Sequence, residues 1–140
     1  MKFGMLFLHF FPSLVGIVRM LLRHPLFALQ LLVVRTRFFL TRRLAGSVST
    51  PDGFLIETTG ELISYWSFFI EREGCVQEWV EALKGQTKPL VLDVGANAGL
   101  FTHLIWTLKP DAEIVAFEPL PKMAAKIKAW QIRTGAQMTA

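Results

Sequence analysis

From Phe3 to Val18 the chain runs 16 residues without a formal charge, interrupted by His9, Pro12, Ser13 and Gly16. A membrane-spanning helix wants about 20 apolar residues, so the run is short. Extending it to Val34 would bury Arg19 and Arg23, at about 2.5–3.5 kcal/mol each near a bilayer centre. Positions 9, 16, 23, 30 and 37 read His, Gly, Arg, Gln, Arg, with Arg19, His24 and Arg35 beside them. On a helix that stripe drifts only about 20° per heptad, while Leu, Phe, Val and Ile fill the other half of the circumference. The pattern predicts two amphipathic helices, over 13–23 and 26–43. Pro25 divides them, because proline disfavours helix at the residue before it and can itself open the next one.

The pattern changes at Gly46–Gly53 (GSVSTPDG), a turn cluster that marks a boundary near residue 50. Phe54–Thr58 reads as a short strand entered from the Pro51-Asp52-Gly53 turn. Leu62–Ile70 is aromatic-rich, and its pattern fits a strand and a buried helix equally. Cys75–Leu83 carries Val76, Trp79, Val80 and Leu83 at helical spacing, and Gly85 ends it. Cys75 reads as a small core residue.

Beyond Pro89 the periodicity alternates. Pro89–Val94 is a continuous apolar run with one acid, Asp93, near its end, as expected of a buried parallel strand. Gly95-Ala96-Asn97-Ala98-Gly99 follows, then Phe101, Leu104, Ile105 and Leu108 at helical spacing, stopped at Lys109-Pro110-Asp111. Glu113–Phe117 is a second strand. Pro121 opens a further helix with an apolar face of Met123, Ile127 and Trp130 and an exposed face of Lys122, Lys126 and Arg133. Strand, glycine-rich turn, helix and strand make a βαβ unit, so the fold class is α/β. The expected divisions are 1–50, 51–88 and 89–140.

Charge separates these parts further. Residues 1–50 hold seven Lys or Arg and no Asp or Glu, whereas residues 51–140 hold eight basic and eleven acidic side chains. A basic, Leu/Phe-rich helix pair suits the surface of a membrane, with residues 1–45 as the contact. Three other accounts stay open: packing against protein, a spanning helix at 3–18, and a cleaved signal peptide, though no small-x-small site follows Val18. The arginines alternate with bulky aliphatic residues, which argues against nucleic acid. Localisation is expected to be cytoplasmic and peripherally membrane-associated. A single cysteine excludes a disulfide framework and a cysteine-based zinc site, and His103 has no second ligand nearby.

The candidate site lies where the first strand meets its helix, because open α/β sheets bind ligands beyond the carboxyl ends of their strands. Gly95 permits a tight turn, and Gly99 permits close packing or close approach of a ligand. Asn97 suits a left-handed turn position or a ligand contact. Glu118 stands 19 residues after Gly99, where an acid would meet ribose hydroxyls. The dinucleotide fingerprint needs glycine where Asn97 and Leu100 stand, which disfavours NAD. Asp93, before the turn, suits a ligand bearing an amine. S-adenosylmethionine, with ammonium, carboxylate, sulfonium and ribose, fits Asp93, the helix start and Glu118 together.

Val91-Leu-Asp-Val-Gly-Ala-Asn-Ala-Gly-Leu-Phe-Thr102 and Val115-Ala-Phe-Glu-Pro-Leu-Pro121 together resemble the opening of the FkbM-type S-adenosylmethionine-dependent methyltransferases. The motifs cover about 89–121, and the family's lead-in of strand, aromatic segment and helix corresponds to 53–85. The resemblance implies the start of a Rossmann-like methyltransferase sheet, preceded here by the amphipathic helices. It implies S-adenosyl-L-methionine as cofactor and O-methylation of a hydroxyl on a sugar or other metabolite. Asp93, Gly95, Ala96, Asn97, Gly99 and Glu118 would line the cofactor pocket, with Phe101 and Thr102 adjacent. The 52 residues from Pro89 onward accommodate two strands and two helices, so an incomplete, N-terminal portion of the domain is expected and no catalytic residue is assigned. A non-catalytic membrane-peripheral module and a NAD-dependent oxidoreductase are the alternatives.

Overall fold

The computed structural model describes residues 14–41, 47–71, 76–136 and 138–139. The chain is mixed α/β and divides into two compact units. Unit 1 draws on Met1–Pro51 and Leu55–Gly74, and unit 2 on Asp52–Phe54 and Cys75–Ala140. Cys75 itself, the far end of the predicted helix at 42–43 and residue 13 lie outside the described residues.

In unit 1, residues 14–23 form α1 and Pro25–Thr41 forms α2, with His24 between them. The break costs little hydrogen bonding: His24 N–H still donates to Met20 O at 2.7 Å, and His24 O accepts from Ala28 N–H at 2.9 Å. Pro25 lacks only an amide that a helix start leaves unpaired. Gly16, assigned by its spacing to the polar stripe, is instead buried, because α1 passes so close to Ile70 that a Cβ there would strike the Ile70 backbone.

The circumference of α2 also differs from a simple two-faced helix. Phe27, Ala28 and Leu31 are buried, and Arg35, itself exposed, lays its guanidinium 3.5 Å over the Trp66 ring. Leu26, Leu29, Val33 and Leu40 remain exposed. The apolar positions are thus split between an inner and an outer arc. Among the described residues, no helix is long and apolar enough to cross a membrane.

Two short strands follow, β1 (Val48–Ser49) and β2 (Leu55–Ile56), paired antiparallel with Val48 opposite Ile56. The turn cluster therefore contains a strand of its own. The aromatic segment resolves as helix: α3 (Thr59–Tyr65) runs into a π-helical stretch, Trp66–Glu71. Thr58 caps α3 by accepting from Glu61 N–H at 3.2 Å, while Glu61 reaches back to Glu57 N–H at 2.7 Å. This is a variant of the reciprocal Ser/Thr-x-x-Glu cap, and it stops the aromatic run from continuing β2 as strand. Tyr65 and Trp66 are buried, with Phe27 edge-on to Tyr65.

Unit 2 begins with α4 (Val76–Leu83), closed where Gly85 takes φ +74°. It continues β3 (Leu90–Val94), α5 (Leu100–Leu108), β4 (Glu113–Phe117), α6 (Pro121–Thr134) and β5 (Met138–Thr139). The sheet order is β3-β4-β5, all parallel, with Leu90 opposite Glu113 and Val94 opposite Phe117. A third strand thus joins the two expected, giving a βαβαβ unit. At the opposite end of the sheet, Asp111 accepts from Lys88 N–H at 3.2 Å and pairs with Lys109 at 3.0 Å. Lys109 first, then the Lys88 amide, holds the Asp111 carboxyl below its ordinary value.

One sheet face is packed and the other is not. Val91, Asp93, Ile114 and Ala116 are buried, whereas Leu90, Leu92, Val94 and Phe117 are exposed. The continuous apolar run of β3 therefore supplies a surface, rather than being buried on both sides. On the packed side, Ile127 and Trp130 of α6 are each 1% exposed.

Expected from sequence as an exposed or partly packed helix residue and a poor metal ligand, His103 instead lies at the centre of this packing. It is 2% exposed, stacks on Phe54 at 4.5 Å and meets Trp130 edge-on. Its Nε2 lies 2.8 Å from Asp52 Oδ2, which also accepts from Trp130 Nε1 at 3.3 Å. An ionised Asp52 can only accept, so Nε2 carries the proton in this bond. Asp52→Ala would leave two buried donors without this acceptor, a loss of about 1–3 kcal/mol each. Urea unfolding should show that variant clearly destabilised, with Asp52→Asn losing less. Equal midpoints for Asp52→Ala and wild type would contradict this arrangement.

Candidate functional site

The carboxyl ends of β3 and β4 sit side by side, since Asp93 pairs with Ala116 and Val94 with Phe117. The chain leaves β3 through Gly95–Gly99 and leaves β4 at Glu118. The six residues singled out in sequence (Asp93, Gly95, Ala96, Asn97, Gly99 and Glu118) are brought to this one end of the sheet.

The amides of the turn turn back onto β4. Gly95 and Ala96 N–H both donate to Phe117 O, at 2.9 and 3.1 Å, and Asn97 N–H donates to Glu118 Oε2 at 2.7 Å. Glu118 Oε1 accepts from Leu120 N–H at 2.8 Å, just before α6. Gly99 N–H closes the turn on Ala96 O at 2.8 Å. Glu118 is therefore a backbone clamp whatever else it does. A carboxylate has about four lone-pair directions, so the two amides leave it further acceptor capacity.

Asp93 is oriented differently from a freely presented ligand group. It is 6% exposed, and Thr102 Oγ1, fully buried on the first turn of α5, donates to its Oδ2 at 2.5 Å. This buried hydroxyl–carboxyl bond fixes both partners. Asp93 thereby ties the strand end to the helix start. Thr102 joins the site, while Phe101 instead meets Trp79 of α4 edge-on at 5.2 Å. Sequence reasoning placed Thr102 only as adjacent; its position in the first turn of α5 was the available signal for the bond.

The glycines differ in purpose. Gly95 has φ +80° and open space where a Cβ would stand, so its requirement is conformational and the space beside it is available to a ligand. Gly99 has φ +83°, and a Cβ there would lie 2.7 Å from Ile127 Cγ1, so it lets α6 pack against the start of α5. Asn97 holds φ +50° with its side chain exposed, the left-handed position that asparagine tolerates. Ala96 and Ala98 are buried, 5% and 3% exposed.

Two carboxylates flank the turn, and the side chain of Asn97 stands where a dinucleotide fold needs bare backbone. The N-terminal amides of α5 add positive potential suited to a carboxylate. Among the described residues, no group of three or more His, Cys, Asp or Glu is placed to hold a metal ion.

Gly95→Ala should cost only the left-handed backbone penalty, about 1–2 kcal/mol. Gly99→Ala adds a clash with Ile127, an overpacking cost of about 1–3 kcal/mol. Denaturation midpoints should therefore fall further for Gly99→Ala, and trimming Ile127 to alanine in that background should cost less than in wild type. Equal midpoints for the two glycine variants would contradict the assigned roles.

No protein-family model matches the chain, and no solved structure matches it. The chain is similar to the AMB antimetabolite synthetase AmbE of Pseudomonas aeruginosa, with 50% identity over 40 residues. That stretch is 29% of this chain and 2% of the synthetase, so the chain spans a very small part of that protein's length.

Proposed function

We propose that unit 2 is the cofactor-binding opening of a Rossmann-like, FkbM-type S-adenosylmethionine-dependent methyltransferase that acts on a hydroxyl of a sugar or other metabolite. The observation that carries the proposal is the clamp at the strand ends, where Glu118 accepts from the Asn97 amide at 2.7 Å and so stands against the D-V-G-A-N-A-G turn. The parallel order β3-β4-β5 supports it, since nucleoside ligands of such sheets lie beyond the strand ends.

In this reading Glu118 accepts from the ribose hydroxyls with the lone pairs its backbone bonds leave. The amides at the start of α5 face the ligand's carboxylate. Asp93 holds the helix start in place through Thr102 and supplies negative charge near the ligand's ammonium. S-adenosylmethionine, when bound, supplies a methyl group from its sulfonium to the acceptor oxygen, leaving a thioether as the hydroxyl proton departs. Asn97 and Leu100 weigh against NAD at the same turn.

Titration of the 15N-labelled protein with S-adenosylmethionine should shift the amide signals of Gly95, Ala96, Asn97, Gly99 and Leu120, whereas NAD should not. Glu118→Ala should weaken binding about tenfold to over a hundredfold, the worth of a charged hydrogen bond. Asp93→Asn keeps the side-chain size and removes the charge, so it should lower affinity through both the lost charge and a weaker bond from Thr102. Shifts clustered elsewhere, equal responses to NAD, or unchanged affinity in both variants would overturn the proposal.

A further inference from the structure

Unit 1 carries a surface that its own packing does not use. Leu26, Leu29, Val33 and Leu40 of α2 are 84%, 58%, 58% and 75% exposed. At about 100° per residue they fall within roughly 60° of the helix circumference. The inner arc of Phe27, Ala28 and Leu31 already supplies the helix's burial, so the outer stripe is surplus to folding. Arg37 and Gln30, both exposed, border the stripe on one flank. A shallow groove along it is lined by Leu32, Val33, Thr36, Arg37, Leu40 and Thr41.

α1 repeats the arrangement. Val15, Val18 and Leu22 are exposed along one arc, and the exposed Arg19 and Arg23 follow on the same flank as Arg37 does in α2. Two consecutive helices thus each show an open apolar arc bordered by arginine.

We propose that these arcs dock unit 1 on the surface of an anionic phospholipid bilayer. Charge selects this occupant. Residues 1–50 carry seven cations and no acid, so a second copy set against the stripe would bring arginine against arginine. An acidic lipid surface offers apolar chains to the leucines and phosphates to the guanidinium groups at the depth a surface helix occupies. Arginine stems can lie along the apolar arc while their heads reach the phosphates. No described helix is long and apolar enough to cross the membrane. The attachment stands independently of whether unit 2 binds a cofactor.

The test is flotation of the full chain with vesicles of phosphatidylcholine mixed with phosphatidylglycerol, against vesicles of phosphatidylcholine alone. The chain should float with the mixed vesicles much more strongly, and the difference should shrink as salt is raised. Each juxtamembrane arginine is worth about fivefold in binding, so the double variant Arg23→Gln, Arg37→Gln should lose about 25-fold on mixed vesicles. Lysine at both positions should restore most of it. Leu29→Ser with Val33→Ser should lower binding to both kinds of vesicle. All these positions are exposed, and unchanged helical circular dichroism checks that each variant is folded.

Equal flotation with both vesicle types, or indifference to the arginine pair, would overturn the proposal. So would retention through carbonate extraction, which marks a spanning segment. A solution oligomer that Leu29→Ser with Val33→Ser disperses, with vesicle binding unchanged, would assign the stripe to a second copy instead.

Discussion

The turn between β3 and α5 has backbone donors that must find acceptors, and β4 provides them. Phe117 O takes two of these amides and Glu118 Oε2 a third. Buried or constrained backbone amides left unpaired cost free energy comparable to a lost hydrogen bond, so the turn and the end of β4 specify each other. Around this joint the remaining features fall into place. Gly95 and Asn97 supply the left-handed conformations, Gly99 lets α6 approach, and Thr102 fastens α5 to Asp93. Glu118 thereby has a structural duty before any ligand arrives, and the same anchoring orients its remaining acceptor capacity.

Much of this was legible along the chain. Strand, glycine turn, helix and strand stand in unit 2 close to where the spacing of apolar residues set them, and proline divided the first helices at His24. Local chemistry has local signatures. What escaped the sequence was mostly what joins distant residues. The bond from His103 to Asp52 links positions 51 apart, and no periodicity marks it. β5 is two residues long, too short for an alternation to register. The cap from Thr58 to Glu61 was within reach of pattern reading and settles the aromatic segment as helix.

The expectation of a strand buried on both faces failed for a physical reason. An apolar run states that side chains can be buried, and whether they are depends on a layer to cover them. Here α5 and α6 accompany Val91, Asp93, Ile114 and Ala116 on the packed side, while Leu90, Leu92 and Val94 stay open. The same distinction holds in α2, whose leucines divide between an inner arc that packs and an outer arc that faces solvent. Likewise the arginines do not act as a class: Arg35 and Arg37 are both exposed, but Arg35 lies on Trp66 and Arg37 borders the open stripe.

Amide hydrogen exchange tests the joint most directly. The amides of Asn97 and Leu120 should be protected in the wild-type protein, and Glu118→Ala should release both while the β3–β4 ladder at Val91 and Val115 keeps its protection. Unprotected amides at Asn97 and Leu120 in the wild type, or protection that survives the loss of the carboxylate, would contradict the view that Glu118 holds the turn.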